Sequence, residues 1–191
     1  MINPLEAFIY QRVKTPKAGD VEEILSIFEE KTFSKGTRFK ERDTQIKQLG
    51  FLTSGSSRSY LVNKKGNEVT GHVSLVNTFL SDIVSVRTRD KTPTIIEFLE
   101  DAQVLVAPMD KVRNLLETNL VFNILIREYI ADNTVEIVKK QLMFMTGTAK
   151  DRYQYLLETN PHLVKRFPLR FIASMIGVTP TQLSRIRKEK S

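Results

Sequence analysis

The 191-residue chain contains no cysteine. That absence excludes disulfides, thiol catalysis, cysteine-held iron–sulfur clusters and cysteine-type zinc sites, and it suits a reducing compartment. Long apolar runs are missing too. The longest stretch without a charge, Phe171–Ser184, has 14 residues, short of the ~18–20 needed to span a bilayer. The opening Met1–Glu6 has no basic region followed by an apolar core, so no signal peptide is expected. These two absences predict a cytoplasmic protein with no membrane partner.

Catalytic and metal-binding patterns are equally scarce. There are only two histidines, His72 and His162, and neither has a second ligand at metal spacing. No Gly-x-x-x-x-Gly-Lys-Ser/Thr loop or Gly-x-Gly-x-x-Gly turn occurs. Glu100 and Asp101 are adjacent, but neighbouring residues of a strand or turn point apart. No nucleophile–base set is visible. The expectation is a non-enzyme with no catalytic residues, no metal and no cofactor.

What is present is concentrated near the C-terminus. Leu169–Lys188 reads as helix, tight turn, helix. Ile172, Met175 and Ile176 share one face, and Ala173 is small enough for a second helix to cross closely. Gly177 ends the first helix, where a left-handed backbone suits glycine. Thr179 is a natural N-cap, and Pro180 sits at the first helical position, where its missing N–H costs nothing. Leu183 and Ile186 point inward. Thr181, Gln182, Ser184, Arg185 and Lys188 are left outside, a polar face that suits the DNA major groove. Arg185 is the expected guanine reader, with Gln182 and Thr181 as further base readers. Ser184, Arg187 and Lys188 are the expected phosphate contacts, and Thr179 completes the DNA-binding set. The charge agrees. Residues 146–191 carry nine Lys/Arg and three Asp/Glu, whereas residues 1–145 carry 20 and 19. The net +7 therefore lies mostly with this motif, where it attracts polyanions.

Upstream, Leu5–Val13 and Asp20–Glu30 read as helices, the second capped by Asp20. Thr32–Met109 shows short runs of period two. Among them, Arg58–Asn63 and Glu68–Leu75 flank the turn Lys64-Lys65-Gly66-Asn67. Many short strands at this spacing predict an antiparallel roll or sandwich. Lys111–Glu117 is a short helix and Asn119–Phe144 a long one, whose apolar residues cover more than one stripe. The excess predicts two burials, one against the strands and one against a second copy, with Asn133 setting register. The expected dimer interface is Phe122, Ile126, Ile130, Asn133, Ile137 and Phe144. Thr146-Gly147-Thr148 is a connector, and Ala149–Thr159 a further helix before a break at Asn160-Pro161. The fold class is thus α+β, with domains at 1–118 (antiparallel roll and N-terminal helices), 119–145 (dimerisation helix) and 146–191 (helix-turn-helix).

This order of elements resembles the Crp/Fnr family of bacterial transcription regulators, in its shorter Bacteroidetes-type branch. Ile172–Arg187 is similar to the family's Ile-Ala-x-x-Leu-Gly-x-[Thr/Ser]-x-x-x-[Leu/Val]-Ser-Arg core. Ser54-Gly55-Ser56-Ser57-Arg58 is similar to the Ser-Gly-x-x-Arg turn of the cyclic-nucleotide-binding roll, and Phe98–Asp101 to its final strand. The resemblance implies a homodimer on a pseudo-palindromic duplex, with RNA polymerase as a further partner. It also implies an effector pocket at Ser81, Asp82, Ile83, Thr92, Pro93 and Thr94. There the family uses a Glu for the ribose and an Arg for the cyclic phosphate. Thr92 stands at the arginine's place and cannot make its bidentate contact, so cyclic AMP is not expected as effector. The family's β-wing is also expected to be missing, since the sequence stops five residues after Ile186. The competing expectation is a small-ligand sensor whose output is a protein partner.

Overall fold

The computed structural model describes residues 3–189. Nine helices and eight strands are found among them: α1 (Pro4–Arg12), α2 (Ala18–Ser26), β1 (Glu29–Phe33), β2 (Arg38–Lys40), β3 (Gln48–Ser54), β4 (Ser57–Val62), β5 (Glu68–Ser74), β6 (Thr78–Leu80), α3 (Ile83–Thr88), β7 (Ile95–Phe98), β8 (Ala102–Pro108), α4 (Met109–Thr118), α5 (Leu120–Thr146), α6 (Ala149–Thr159), α7 (Pro161–Arg166), α8 (Leu169–Met175) and α9 (Pro180–Lys188). The strands form two four-stranded sheets, in the orders β1-β8-β3-β6 and β2-β7-β4-β5. The fold class is α+β with an antiparallel roll, as the alternating runs predict. Among the described residues, no helix is long and apolar enough to cross a membrane.

The chain divides into two compact units, Met1–Ser59 with Ser74–Ala131, and Tyr60–Val73 with Asp132–Ser191. In the first unit β8 is the spine. It pairs antiparallel with β1 from Glu29↔Val106 to Phe33↔Ala102 and with β3 from Gln48↔Pro108 to Leu52↔Val104. Phe51, Leu52, Val104, Val106, Ile96 and Phe98 are buried, together with Leu5, Phe8 and Ile9 of α1 and Val121, Phe122 and Leu125 of α5. Ring packing joins the elements: Phe8–Phe51 and Phe51–Phe79 centroids are 5.0 Å apart, as are those of Phe79 and Tyr129. The Tyr129 hydroxyl accepts from the Phe79 N–H at 3.0 Å. Asn119 starts α5 by accepting from the Phe122 N–H (2.9 Å) and donating to Glu23 and the Asp20 carbonyl.

Two expectations change here. The second helix ends at Ser26 rather than near Glu30, and its N-cap is Lys17, with Asp20 inside the first turn. Glu29 and Glu30 are taken instead by the ladder with β8, whose backbone bonds outweigh a weak helical preference. The break expected at Asn160-Pro161 is the start of α7, with Pro161 at its first position.

A buried polar knot fixes α3. Lys40 and Asp82 form an ion pair (3.4 Å) with side chains 1% and 4% exposed. The Lys40 ammonium donates to the carbonyls of Glu41, Thr92 and Thr94 at 3.3, 3.2 and 2.8 Å. Asp82 accepts from the Thr92 hydroxyl and caps α3 by accepting from the Ser85 N–H at 3.3 Å. The rest of Thr92 is engaged as well: its carbonyl accepts from Asp43, and its N–H donates to Thr44.

In the second unit, Lys140 of α5 donates to the Gly71 carbonyl of β5 at 2.7 Å, and burial pushes its ammonium pKa below the ordinary lysine value. Ser174 of α8 accepts from the Thr70 N–H at 2.6 Å and donates to the Glu68 carbonyl at 3.4 Å.

The knot makes a prediction. Lys40→Met leaves Asp82 buried without a counter-charge, and thermodynamic stability should fall by about 3–5 kcal/mol. Lys40→Met with Asp82→Leu removes both charges and should recover most of that loss. Denaturant unfolding of the two variants checks it, and a double variant no better than the single one would contradict the assignment.

Candidate nucleic-acid interface

The C-terminal motif is built locally. In α8 the residues Phe171, Ile172, Ala173 and Met175 are buried, with Ala173 fully so. Gly177 has φ +69°, and a Cβ there would stand 3.1 Å from the Phe144 ring and 3.2 Å from the Arg152 guanidinium. Arg152 is itself held by donating to the Ile176 carbonyl at 3.0 Å, and its guanidinium carbon lies 4.9 Å from the centroid of Phe144. The turn is therefore closed on its outer side by residues of α5 and α6. Leu183, the inward residue of α9, is completely buried. This fixes the helix's rotation and leaves Thr181, Arg185, Arg187 and Lys188 exposed, with Ser184 half-buried. The three cations lie in the last turn of α9, where the helix dipole favours positive charge. The cap of the neighbouring helix is similar: Thr148 donates its N–H and hydroxyl to Asp151, holding that carboxyl below the usual range.

Gln182 has a role that the sequence did not suggest. Thr179 Oγ1 accepts from the Gln182 N–H at 3.2 Å, and Gln182 Oε1 accepts from the Thr179 N–H at 2.8 Å. This is a reciprocal capping box. A bidentate contact to adenine uses both ends of the amide, and one end is already engaged. The spacing Thr179-x-x-Gln182 was the signal that could have revealed it.

The expected effector residues are partly united. Asp82, Thr92 and Thr94 meet at the Lys40 ammonium, bonded to one another rather than arranged around a space. Ile83 is 55% exposed, Pro93 is exposed and Ser81 half-buried. Surface cavities of about 440 Å³, by α2 and α4, and about 350 Å³, at Tyr10–Pro16, are lined by neither Asp82 nor Thr92. Lys40 was missed because no local pattern marks a lysine whose counter-ion, Asp82, and two of its three carbonyl acceptors lie more than 40 residues away. The Ser-Gly-x-x-Arg turn is internal as well. Arg58 donates to Glu97 at 2.7 Å, Ser56 donates to Glu100 at 2.6 Å, and a Cβ on Gly55 would reach the Asp101 carbonyl at 2.5 Å.

The expected dimer set divides. Phe122 is fully buried in the core of its own unit, so it has no surface to offer a second copy, and Ile126 packs partly against that core. Ile130 and Ile137 are exposed, and Asn133 is half-buried. Phe144 is 38% exposed beneath Arg152. The sequence assignment overlooked a second exposed row, Val135, Val138, Leu142 and Met145. Its spacing of 3, 4 and 3 residues follows a helical stripe.

His72 and His162 are both exposed, and no group of three or more metal-ligating side chains is found among the described residues.

No family model matches the chain, and no curated protein matches it in sequence. Solved structures do match. The CooA mutant from Carboxydothermus hydrogenoformans gives a TM-score of 0.71 at 16% identity, covering 98% of this chain and 84% of that one. A crp/fnr-family transcriptional regulator from Eubacterium rectale gives 0.70 at 15% identity, covering 91% and 82%. The c-di-GMP-responsive global regulator CLP from Xanthomonas campestris gives 0.66 at 14% identity, covering 91% of each. Roll, long helix and terminal helix-turn-helix together are the fold of the Crp/Fnr transcriptional regulators.

Proposed function

We propose that the protein is a sequence-specific DNA-binding transcriptional regulator that acts as a homodimer and does not respond to cyclic AMP. The observation that carries this reading is the α8–Gly177–α9 motif, whose one buried recognition-helix side chain, Leu183, presents Thr181, Arg185, Arg187 and Lys188 outward. Arg185 is the guanine reader and Thr181 the neighbouring base contact. Ser184, Arg187 and Lys188 hold phosphates. Thr179 and Gln182 set the helix start, with Gln182 contributing to bases only through the free end of its amide.

The dimer reading rests on the outer face of α5. Ile137, Val135, Leu142 and Met145 are 62%, 51%, 56% and 74% exposed, a concentration of apolar surface that a lone helix does not leave in water. Pairing two such helices in parallel brings both recognition helices to one side of a duplex, which suits a pseudo-palindromic operator. RNA polymerase is a further partner consistent with this role.

The effector reading rests on Lys40. A cyclic nucleotide brings a phosphate that must be desolvated, and the expected site offers Thr92, already bonded to Asp82, and Pro93, which has no N–H. Arg87, Arg89 and Lys91 are exposed and are the remaining cations nearby in sequence. The c-di-GMP-responsive CLP shares the fold, so the fold does not require cyclic AMP.

Three measurements test this. Arg185→Ala should weaken binding to a duplex enriched from random sequence by roughly 1–3 kcal/mol and affect scrambled DNA much less; equal losses on both would remove its base-reading role. Ile137→Asp should lower both dimer content and DNA affinity, because a carboxylate in an apolar seam is costly, and a wild-type monomer at micromolar concentration in sedimentation would overturn the dimer. Titration calorimetry with cyclic AMP and cyclic GMP should show no micromolar binding; heat at that level, with a changed DNA affinity, would contradict the effector reading.

A further inference from the structure

Only Gly147 and Thr148 separate the long helix α5, which ends at Thr146, from α6, which starts at Ala149. A connector of this kind is where terminal helices pivot unless side chains brace them. One side chain spans the pivot. Arg152 Nε donates to the Thr148 carbonyl at 3.4 Å, on the connector itself. Arg152 Nη1 donates to the Ile176 carbonyl at 3.0 Å, at the C-cap of α8. The guanidinium carbon lies 4.9 Å from the centroid of Phe144, in the last turn of α5.

Each contact uses a different property of the guanidinium. Its fixed fork reaches two carbonyls at once, and its flat face rests on a ring. The Ile176 carbonyl is one that a helix end leaves without an intrahelical partner, and the helix dipole there favours a cation. Arg152 is half-buried, and none of the ion pairs among the described residues includes it. The adjacent carboxylate, Asp151, is taken by the Thr148 cap. A cation committed to two carbonyls and a ring is a brace rather than a free charge. The brace reaches the recognition helix as well, because α9 packs on α8 through the buried Leu183.

We infer that Arg152 is a positioning residue that sets the half-site spacing of the operator, through the strut Phe144–Arg152–Ile176. The inference rests on the DNA-binding and dimer readings above. In a dimer paired through α5, the separation of the two recognition helices follows from the angle each one holds to its own α5. One base pair added between half-sites moves them about 3.4 Å apart and turns them by about 35° around the duplex. A braced pair of recognition helices cannot follow that change, so one half-site is lost or the DNA is deformed, which weakens binding. An unbraced pair can follow it. The strut thus converts spacing into affinity.

The test uses the full chain and four duplexes: the operator enriched from random sequence, the same operator with one base pair removed or added at its centre, and a single half-site. Wild type, Arg152→Ala and Arg152→Lys are compared by fluorescence anisotropy. Wild type should bind both altered spacings at least about tenfold more weakly than the enriched one. Arg152→Ala should lose affinity for the enriched spacing, bind all three within about threefold of one another, and match wild type on the single half-site. Lysine keeps the charge but lacks the fork and the flat face, so Arg152→Lys should level the spacings too. Wild-type discrimination in Arg152→Ala overturns the strut. Discrimination kept by Arg152→Lys and lost in Arg152→Ala overturns it as well, because the residue then acts as a plain positive charge. If the alanine variant loses half-site binding, the lysine variant carries the comparison, and loss in both overturns the inference. A wild-type chain that binds all spacings equally overturns the strut and leaves the DNA-binding reading in place, whereas one that binds no duplex fails that reading itself.

Discussion

One cluster of rings holds the first unit together. Phe8, Phe51, Phe79 and Tyr129 come from a helix near the N-terminus, two strands and the long helix α5. Their edge-to-face packing is geometrically demanding. The Tyr129 hydroxyl adds a hydrogen bond to the backbone of the strand it packs against. With those rings in place α5 can turn only one face inward, the face of Val121, Phe122 and Leu125. Ile124, Ile126 and Tyr129 pack partly against that core, and Ile130 is left exposed. Further along the same helix Val135, Ile137, Val138, Leu142 and Met145 are exposed as well.

The roll and the terminal helices use charge in opposite ways. In the roll, Lys40 and Asp82 neutralise each other out of water and bind α3 to the Thr92–Thr94 segment. A ligand entering there would have to break a pair whose members are already desolvated, which is costly. In the terminal helices Lys165, Arg170, Arg185 and Lys188 are placed at the surface instead. The first arrangement closes the space between α3 and the Thr92–Thr94 segment; the second leaves positive charge at the surface, where it attracts polyanions.

The parts legible in the sequence are those decided by neighbours along the chain. Gly177, Thr179 and Pro180 mark a helix end and a helix start whatever surrounds them, and the turn forms as written. Alternation gave the strands, and Asn63 and Gly66 the β4–β5 turn, in which the Asn63 side chain accepts from the Lys65 and Asn67 N–H groups. The misses depend on distant partners. The end of α2 was lost to a ladder with residues more than 70 positions away. Phe122 could not be told from Ile130 without knowing which face of α5 the rings claim. Lys40 looked like any other surface lysine. Gln182 is the exception, since its capping partner is three residues away; its suitability for reading bases obscured the simpler role.

The strand β5 lies at the edge of its sheet, and edge strands carry a particular hazard. A row of free N–H and C=O groups is a template on which another chain can add a strand. Here the Thr70 N–H donates to the Ser174 hydroxyl, the Glu68 carbonyl accepts from that same hydroxyl, and the Gly71 carbonyl accepts from Lys140. Two helices thus seal the ladder with side chains. Loss of Ser174 or Lys140 would then be felt first as self-association, a protein that still folds but adds copies of itself along an opened edge.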